Sequence, residues 1–274
     1  MVVPATEEVH MTLLLGDMLS DRELLTTYHD INRFRTRSRQ VQSVLTDRKF
    51  DCLLDLIDHN DLAALSRLST ADGRPYFIVS PYYSFAYALP VILSLSGHPI
   101  TFLHEALSDN YRNALMASGV DLISAERGTG NGHRVVARAR RSIDGGRVLA
   151  TIFDAPHRFG LPVRFFGRKF RVGNLYQLLA RRAEADLIVL SISEEEGKLR
   201  IKKMDSLSPN LLDSSFGSEQ GALQRLFFAL EQIVRVQPAQ YRWNAHSIVS
   251  SMEGYDVEVV KAVSRYSKIL KGAG

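Results

Sequence analysis

Acid–base chemistry needs a group that titrates near neutrality held beside a carboxylate, and two places in this sequence offer such a pair. His104 opens the run His104-Glu105-Ala106-Leu107-Ser108-Asp109, an imidazole followed at short range by an acid. There the carboxylate can orient the ring while the ring takes a proton from a hydroxyl or amine. Chance spacing is the competing reading. Asp154 and His157 stand on one connection, Phe153-Asp154-Ala155-Pro156-His157, and form a second candidate pair unless Asp154 only caps its loop. The run Gly128-Thr129-Gly130-Asn131-Gly132-His133 falls between an expected strand and an expected helix, the place for a phosphate cradle. It lacks both the G-x-G-x-x-G spacing and a Walker lysine, so it reads better as a turn.

Other residue types point to surfaces. Arg164-Phe165-Phe166-Gly167-Arg168-Lys169-Phe170-Arg171 interleaves aromatics with bases. Such a segment suits stacking on nucleic acid, a loop facing anionic lipid, or packing. Tyr241 and Trp243 read as core cover, and Glu194–Glu196 as a solvated turn. The eight histidines are never paired at i, i+3 or i+4 and Cys52 is the single cysteine, so neither a metal site nor a disulfide is expected.

The elements that must position these residues follow from periodicity. From Met1 to about Thr70 the pattern is helical. Asp21 can cap a helix carrying Leu24, Leu25, Tyr28 and Ile31, and a second helix is expected from about Asp47 to Leu68. Between them Arg33, Arg35, Arg37 and Arg39 make a solvated face or connection, or a surface for anionic lipid or an acidic carrier protein. After Gly73–Pro75 short apolar runs alternate with helical ones. Strands are expected at Tyr76–Ser80, Ile100–Leu103, Val120–Ser124, Arg147–Phe153, Asp186–Ser193 and Leu199–Met204, with helices between most of them and a long helix from Gln220. That alternation argues for an α/β fold with a mainly parallel central sheet flanked by helices. The expected organisation is an N-terminal helical segment, 1–72, and an α/β domain with a C-terminal helical tail, 73–274, the two forming one compact unit.

The chain has 274 residues, 45% of them apolar, enough for a sizeable core. Its 34 Lys and Arg against 30 Asp and Glu leave a mild basic excess that tolerates an anionic partner. No run approaches the ~18 apolar residues of a membrane span, and no signal peptide is visible. The expectation is a cytoplasmic protein, with peripheral attachment to the inner face of the membrane as a further candidate.

Two blocks carry a family resemblance. Val148–Ile192 reads VLATIFDAP, then GLPVRFFGRKFRVGNLYQLLARRAEADLIVLSI, and Pro238–His246 reads PAQYRWNAH. The first resembles the late lipid A (lauroyl/myristoyl) acyltransferases of the lysophospholipid acyltransferase superfamily. In that family an apolar strand ends in Asp, a V-x-FFG segment follows, and a helix reads LA-x-R. Asp154, Phe165, Phe166, Gly167, Leu179, Ala180, Arg182 and Ala185 occupy those positions. The second is similar to the family's P-x-Q-Y-x-W-x-H, so the likeness covers about residues 75–246.

The resemblance implies a lysophospholipid-acyltransferase-like fold and transfer of a fatty acyl group, from acyl carrier protein or acyl-CoA to a hydroxyl or amine, without a cofactor. It implies acyl or substrate contacts at Phe165, Phe166, Gly167, Arg168 and Lys169. The family's His-x4-Asp/Glu pair falls on Tyr82 and Tyr87 in Ser80-Pro81-Tyr82-Tyr83-Ser84-Phe85-Ala86-Tyr87, which holds no His, Asp or Glu. A tyrosine with a pKa near 10 is a poor base at neutral pH. Two expectations result. One is an acyltransferase with a non-standard site, using His104 with Asp109, or else His157 with Asp154. The other is an inactive acyl- or lipid-binding or partner-assembly module. An anionic membrane surface is a further candidate partner; nucleic acid is not.

Overall fold

The structure, a computed structural model, describes residues 7–70, 73–105, 107–125, 132–212, 216–243, 252 and 254–272. The chain divides into two compact units, each assembled from separated stretches: Ser38–Phe153 with Asn174–Ala222, and Met1–Arg37 with Asp154–Gly173 and Leu223–Gly274. This division differs from the expected boundary at 72/73, because residues 1–37 group with the C-terminal helices while residues 38–72 group with the sheet.

The first unit is built on six strands: β1 (Tyr76–Ser80), β2 (Ile100–His104), β3 (Asp121–Ser124), β4 (Val148–Ile152), β7 (Asp186–Glu195) and β8 (Lys198–Leu207). Their order is β3-β2-β4-β1-β7-β8. All neighbours are parallel except β7 and β8. β1 lies at the centre, Ile78 opposite Ala150 on one side and Ile188 on the other. Strands buried on both faces need continuous apolar runs, which is why Phe77-Ile78-Val79 and Val148-Leu149-Ala150 read as strands at once. β8 is an antiparallel edge with Leu199 and Ile201 turned inward and Lys202 and Lys203 exposed. Glu196 and Gly197, at φ 52° and 79°, close the β7–β8 hairpin, a two-residue turn that needs positive φ at both positions.

Helices cover this sheet: α3 (Phe50–Asp55), α4 (His59–Ser66), α5 (Leu89–Leu95), α6 (Asp109–Ala117), α7 (Gly132–Asp144) and α8 (Leu175–Arg182). The single helix expected over Asp47–Leu68 is two. Ile57 leaves the helical path to bridge Leu199, and Asp58 then caps α4 by accepting from the Asn60 N–H at 2.9 Å.

The second unit contains α1 (Glu7–Leu15), the first part of α2 (Asp21–Thr46), the hairpin β5 (Pro156–Phe165) and β6 (Arg168–Val172), most of α9 (Phe216–Val236), and α10 (Tyr255–Gly272). The arginine run lies inside α2. Arg35 is committed to Glu7 and the buried Glu8 at 3.2 and 2.8 Å, and Arg33 pairs with Asp30 at 3.4 Å. The connection after Asp154, expected as a loop, is the β5–β6 hairpin. Its bulge sets both Pro156 and Leu161 opposite Val172, and the interruption hides the strand period in the sequence. His10 anchors α1: Nδ1 donates to the Trp243 carbonyl at 2.5 Å, and Nε2 then accepts from the Tyr255 hydroxyl at 2.7 Å.

Candidate functional site

In open parallel sheets ligands bind beyond the carboxyl ends of the strands, where neighbouring strands send the chain in opposite directions. β1 and β4 are that pair here: the chain leaves β1 for β2 on one side and passes from β4 to β7 on the other. The two strand ends are tied by the Phe153 N–H, which donates to the Ser80 carbonyl at 3.0 Å. A cavity of about 10 Å³, room for one water, lies against Ser80, Ala86, Phe102 and Ile152. It is far too small for an acyl chain.

The segment after β1, where the resemblance implies an imidazole and a carboxylate, holds the hydroxyl groups of Tyr82, Tyr83, Ser84 and Tyr87. Tyr82 is half-buried. Tyr83 is buried, and desolvation together with the negative charge of Glu195 pushes its pKa up, so it stays neutral. Tyr87 is a structural tie: its hydroxyl donates to the Ser38 carbonyl at 2.8 Å, and its own carbonyl accepts from Tyr111. Ser84 was not singled out by sequence. It is wholly buried at φ 48°, left-handed backbone that side chains rarely adopt, and its Oγ has no hydrogen-bond partner among the described residues. A serine between a strand and a helix was the available signal, and a weak one.

His104 ends β2, two strands from β1. It is buried and stacked on Phe102, with ring centroids 6.1 Å apart. Asp109 begins α6 with a side chain 88% exposed and paired to Arg112 at 3.5 Å. The spacing therefore does not produce the expected pair. The chain turns at the strand end and uses the acid on the first turn of a helix, where a carboxylate is favoured and solvated.

In the second unit Asp154 is buried, and its Oδ2 accepts from the Tyr241 hydroxyl at 3.0 Å. Burial, and then the Asp154 charge, raise the tyrosine's pKa well above its ordinary value and keep it a donor. His157 lies half-buried near the start of β5, with its Cβ close to Gly173. Phe165 is fully buried among Phe166, Phe170, Phe227 and Tyr241, with centroids 4.6–6.1 Å away. Tyr241 in turn meets Trp243 edge-on at 4.7 Å. The two blocks that carry the resemblance thus converge on one aromatic core, as expected for Tyr241 and Trp243 but not for Phe165.

Phe166 and Gly167, at φ 50° and 76°, form the hairpin turn. The Phe166 N–H donates to Glu231 at 2.5 Å, and the Arg235 guanidinium lies 5.1 Å over its ring. Arg168 is paired with Glu258 and Asp17 at 3.2 and 3.4 Å, while Lys169 is exposed. These residues were expected to contact an acyl chain or substrate; Phe165 instead fills the core, and Arg168 is held by acids of its own unit. Gly128–Asn131 and Asn244–His246 lie outside the described residues.

No group of three metal-ligating side chains occurs among the described residues, and no described helix is long and apolar enough to cross a membrane. No family model matches the chain, and no curated protein matches it.

Proposed function

We propose that this chain is an acyltransferase-like protein of the lysophospholipid-acyltransferase fold that keeps the architecture as an acyl- or lipid-binding or partner-assembly module. The observation that carries this reading is Tyr87. At the position of the family's catalytic acid stands a hydroxyl that donates to the Ser38 carbonyl; of the other candidate acids, Asp154 accepts from Tyr241 and Asp109 pairs with Arg112.

A second reading rests on His104, which lies at the carboxyl end of β2, on the sheet edge where such folds do their chemistry. In that reading the acceptor oxygen or nitrogen attacks the thioester carbonyl of acyl carrier protein or acyl-CoA. The new C–O or C–N bond forms, the C–S bond breaks, the acceptor's proton passes to His104, and the thiolate leaves.

Incubation with labelled acyl carrier protein or acyl-CoA and mixed hydroxyl and amine acceptors separates the two. Donor binding without turnover is the expected result. Turnover by the wild type that disappears in His104→Ala overturns the module and establishes His104 as the base.

A further inference from the structure

The basic excess of the chain is concentrated on one unit. Residues 156–172, 223–236 and 255–272 carry 11 Lys and Arg against three Asp and Glu, whereas the whole chain carries 34 against 30. The hairpin β5–β6 brings the three segments together. Its tip touches α9 through Phe166 with Glu231 and Arg235, and α10 through Arg168 with Glu258. Glu231 is buried, Glu258 is held by Lys261 at 2.7 Å, and Asp17, with a side chain 87% exposed, meets Arg168 at 3.4 Å.

On the outward side α9 presents Arg225, Phe228, Arg235 and Val236, spaced as one helical stripe. Phe228 is 56% exposed and Val236 78%, which is unusual for large apolar side chains on a helix otherwise well buried. α10 presents Val257 and Val260, 64% and 58% exposed, followed on the same stripe by Lys261, Lys268 and Lys271. Isolated apolar anchors set among bases, with Glu231 paired to Arg235 and Glu258 to Lys261, match the boundary of an anionic bilayer. There bases meet phosphate and apolar side chains enter the acyl region. The outward face of α7 makes the contrast. It carries Arg134, Arg138 and Arg141 but no exposed large apolar residue, so it offers charge without anchors.

We propose that the face formed by the β5–β6 tip, α9 and α10 rests on an anionic lipid surface. This inference does not depend on whether the chain transfers acyl groups.

The test is co-sedimentation of the full chain with phosphatidylcholine vesicles, with and without phosphatidylglycerol, at low and high salt. Binding should require phosphatidylglycerol and weaken about tenfold or more at high salt. The double variant Phe228→Ser/Val257→Ser should bind about tenfold more weakly while its thermal unfolding stays unchanged. Arg134→Gln/Arg138→Gln/Arg141→Gln on α7 should bind like the wild type. No binding to phosphatidylglycerol vesicles overturns the proposal, as does loss of binding in the α7 variant alone. A dimer in sedimentation velocity that Val236→Glu/Val257→Glu abolishes also overturns it, because the face would then belong to a second copy.

Discussion

The hydroxyl of Tyr241 donates to Oδ2 of Asp154 across 3.0 Å in the interior, joining positions 87 residues apart. It links the Asp that ends the VLATIFD strand motif to the tyrosine of PAQYRW, and Phe165 packs beside it. The physical reason for the two blocks to occur together is a shared buried hydrogen bond and aromatic core. A substrate is not needed to explain them.

Tyr241→Phe should therefore destabilise the protein by about 1–3 kcal/mol, because a buried carboxylate loses a donor while the ring still packs. Asp154→Asn, which keeps an acceptor oxygen, should cost less. Urea unfolding of both variants checks this. A Tyr241→Phe variant with wild-type stability would sink the structural role.

Gly160 stands at the bulge of β5, where an added Cβ would lie 2.0 Å from the Val172 carbonyl oxygen. Backbone on the opposing strand cannot yield as a side-chain tip would, so Gly160→Ala should cost about 3 kcal/mol or more. Gly167→Ala makes the control. At φ 76° but with open space around it, it should cost only about 1 kcal/mol. Thermal melts of the pair distinguish steric contact from backbone preference.

Two buried tyrosines set an alkaline limit. Tyr83 and Tyr241 both have pKa values raised above the ordinary 10.0, by burial first and by Glu195 or Asp154 second. A raised pKa means the folded state keeps protons that the unfolded chain releases. Their contribution is thus fully present below pH 10 and declines above it, by about 1.4 kcal/mol per pH unit for each tyrosine. Urea midpoints measured through that range should fall, and Tyr83→Phe should lessen the slope.

Ser84 is strained at φ 48°. Ser84→Gly relieves the backbone and should stabilise the protein by about 1 kcal/mol. Ser84→Ala removes a buried hydroxyl that has no partner among the described residues, and should be neutral or slightly stabilising. Chemical denaturation of both variants reads these signs. Marked destabilisation by Ser84→Ala would mean that the hydroxyl is engaged.

The sheet strands were legible because burial on both faces demands uninterrupted apolar runs, and Phe77-Ile78-Val79 and Leu187-Ile188-Val189 leave little alternative. The hairpin was not. Pro156, the Gly160 bulge and Pro162 interrupt the alternation that marks a strand, and its pairing comes from contact with β6. The absence of His, Asp and Glu from Ser80–Tyr87 could be read directly, since residue type alone decides what can act as a base at neutral pH.

What those residues do instead was decided by tertiary structure. Tyr87 finds its acceptor 49 residues away in α2, Asp154 its donor in the C-terminal block, and Asp109 its cation one helical turn further on. Sequence by itself determined which groups are present and where the strands of the six-stranded sheet must run, because periodicity and residue chemistry are local. The choice of hydrogen-bond partner depends on which distant segments the fold brings within 3 Å, and that is settled only when the chain is packed.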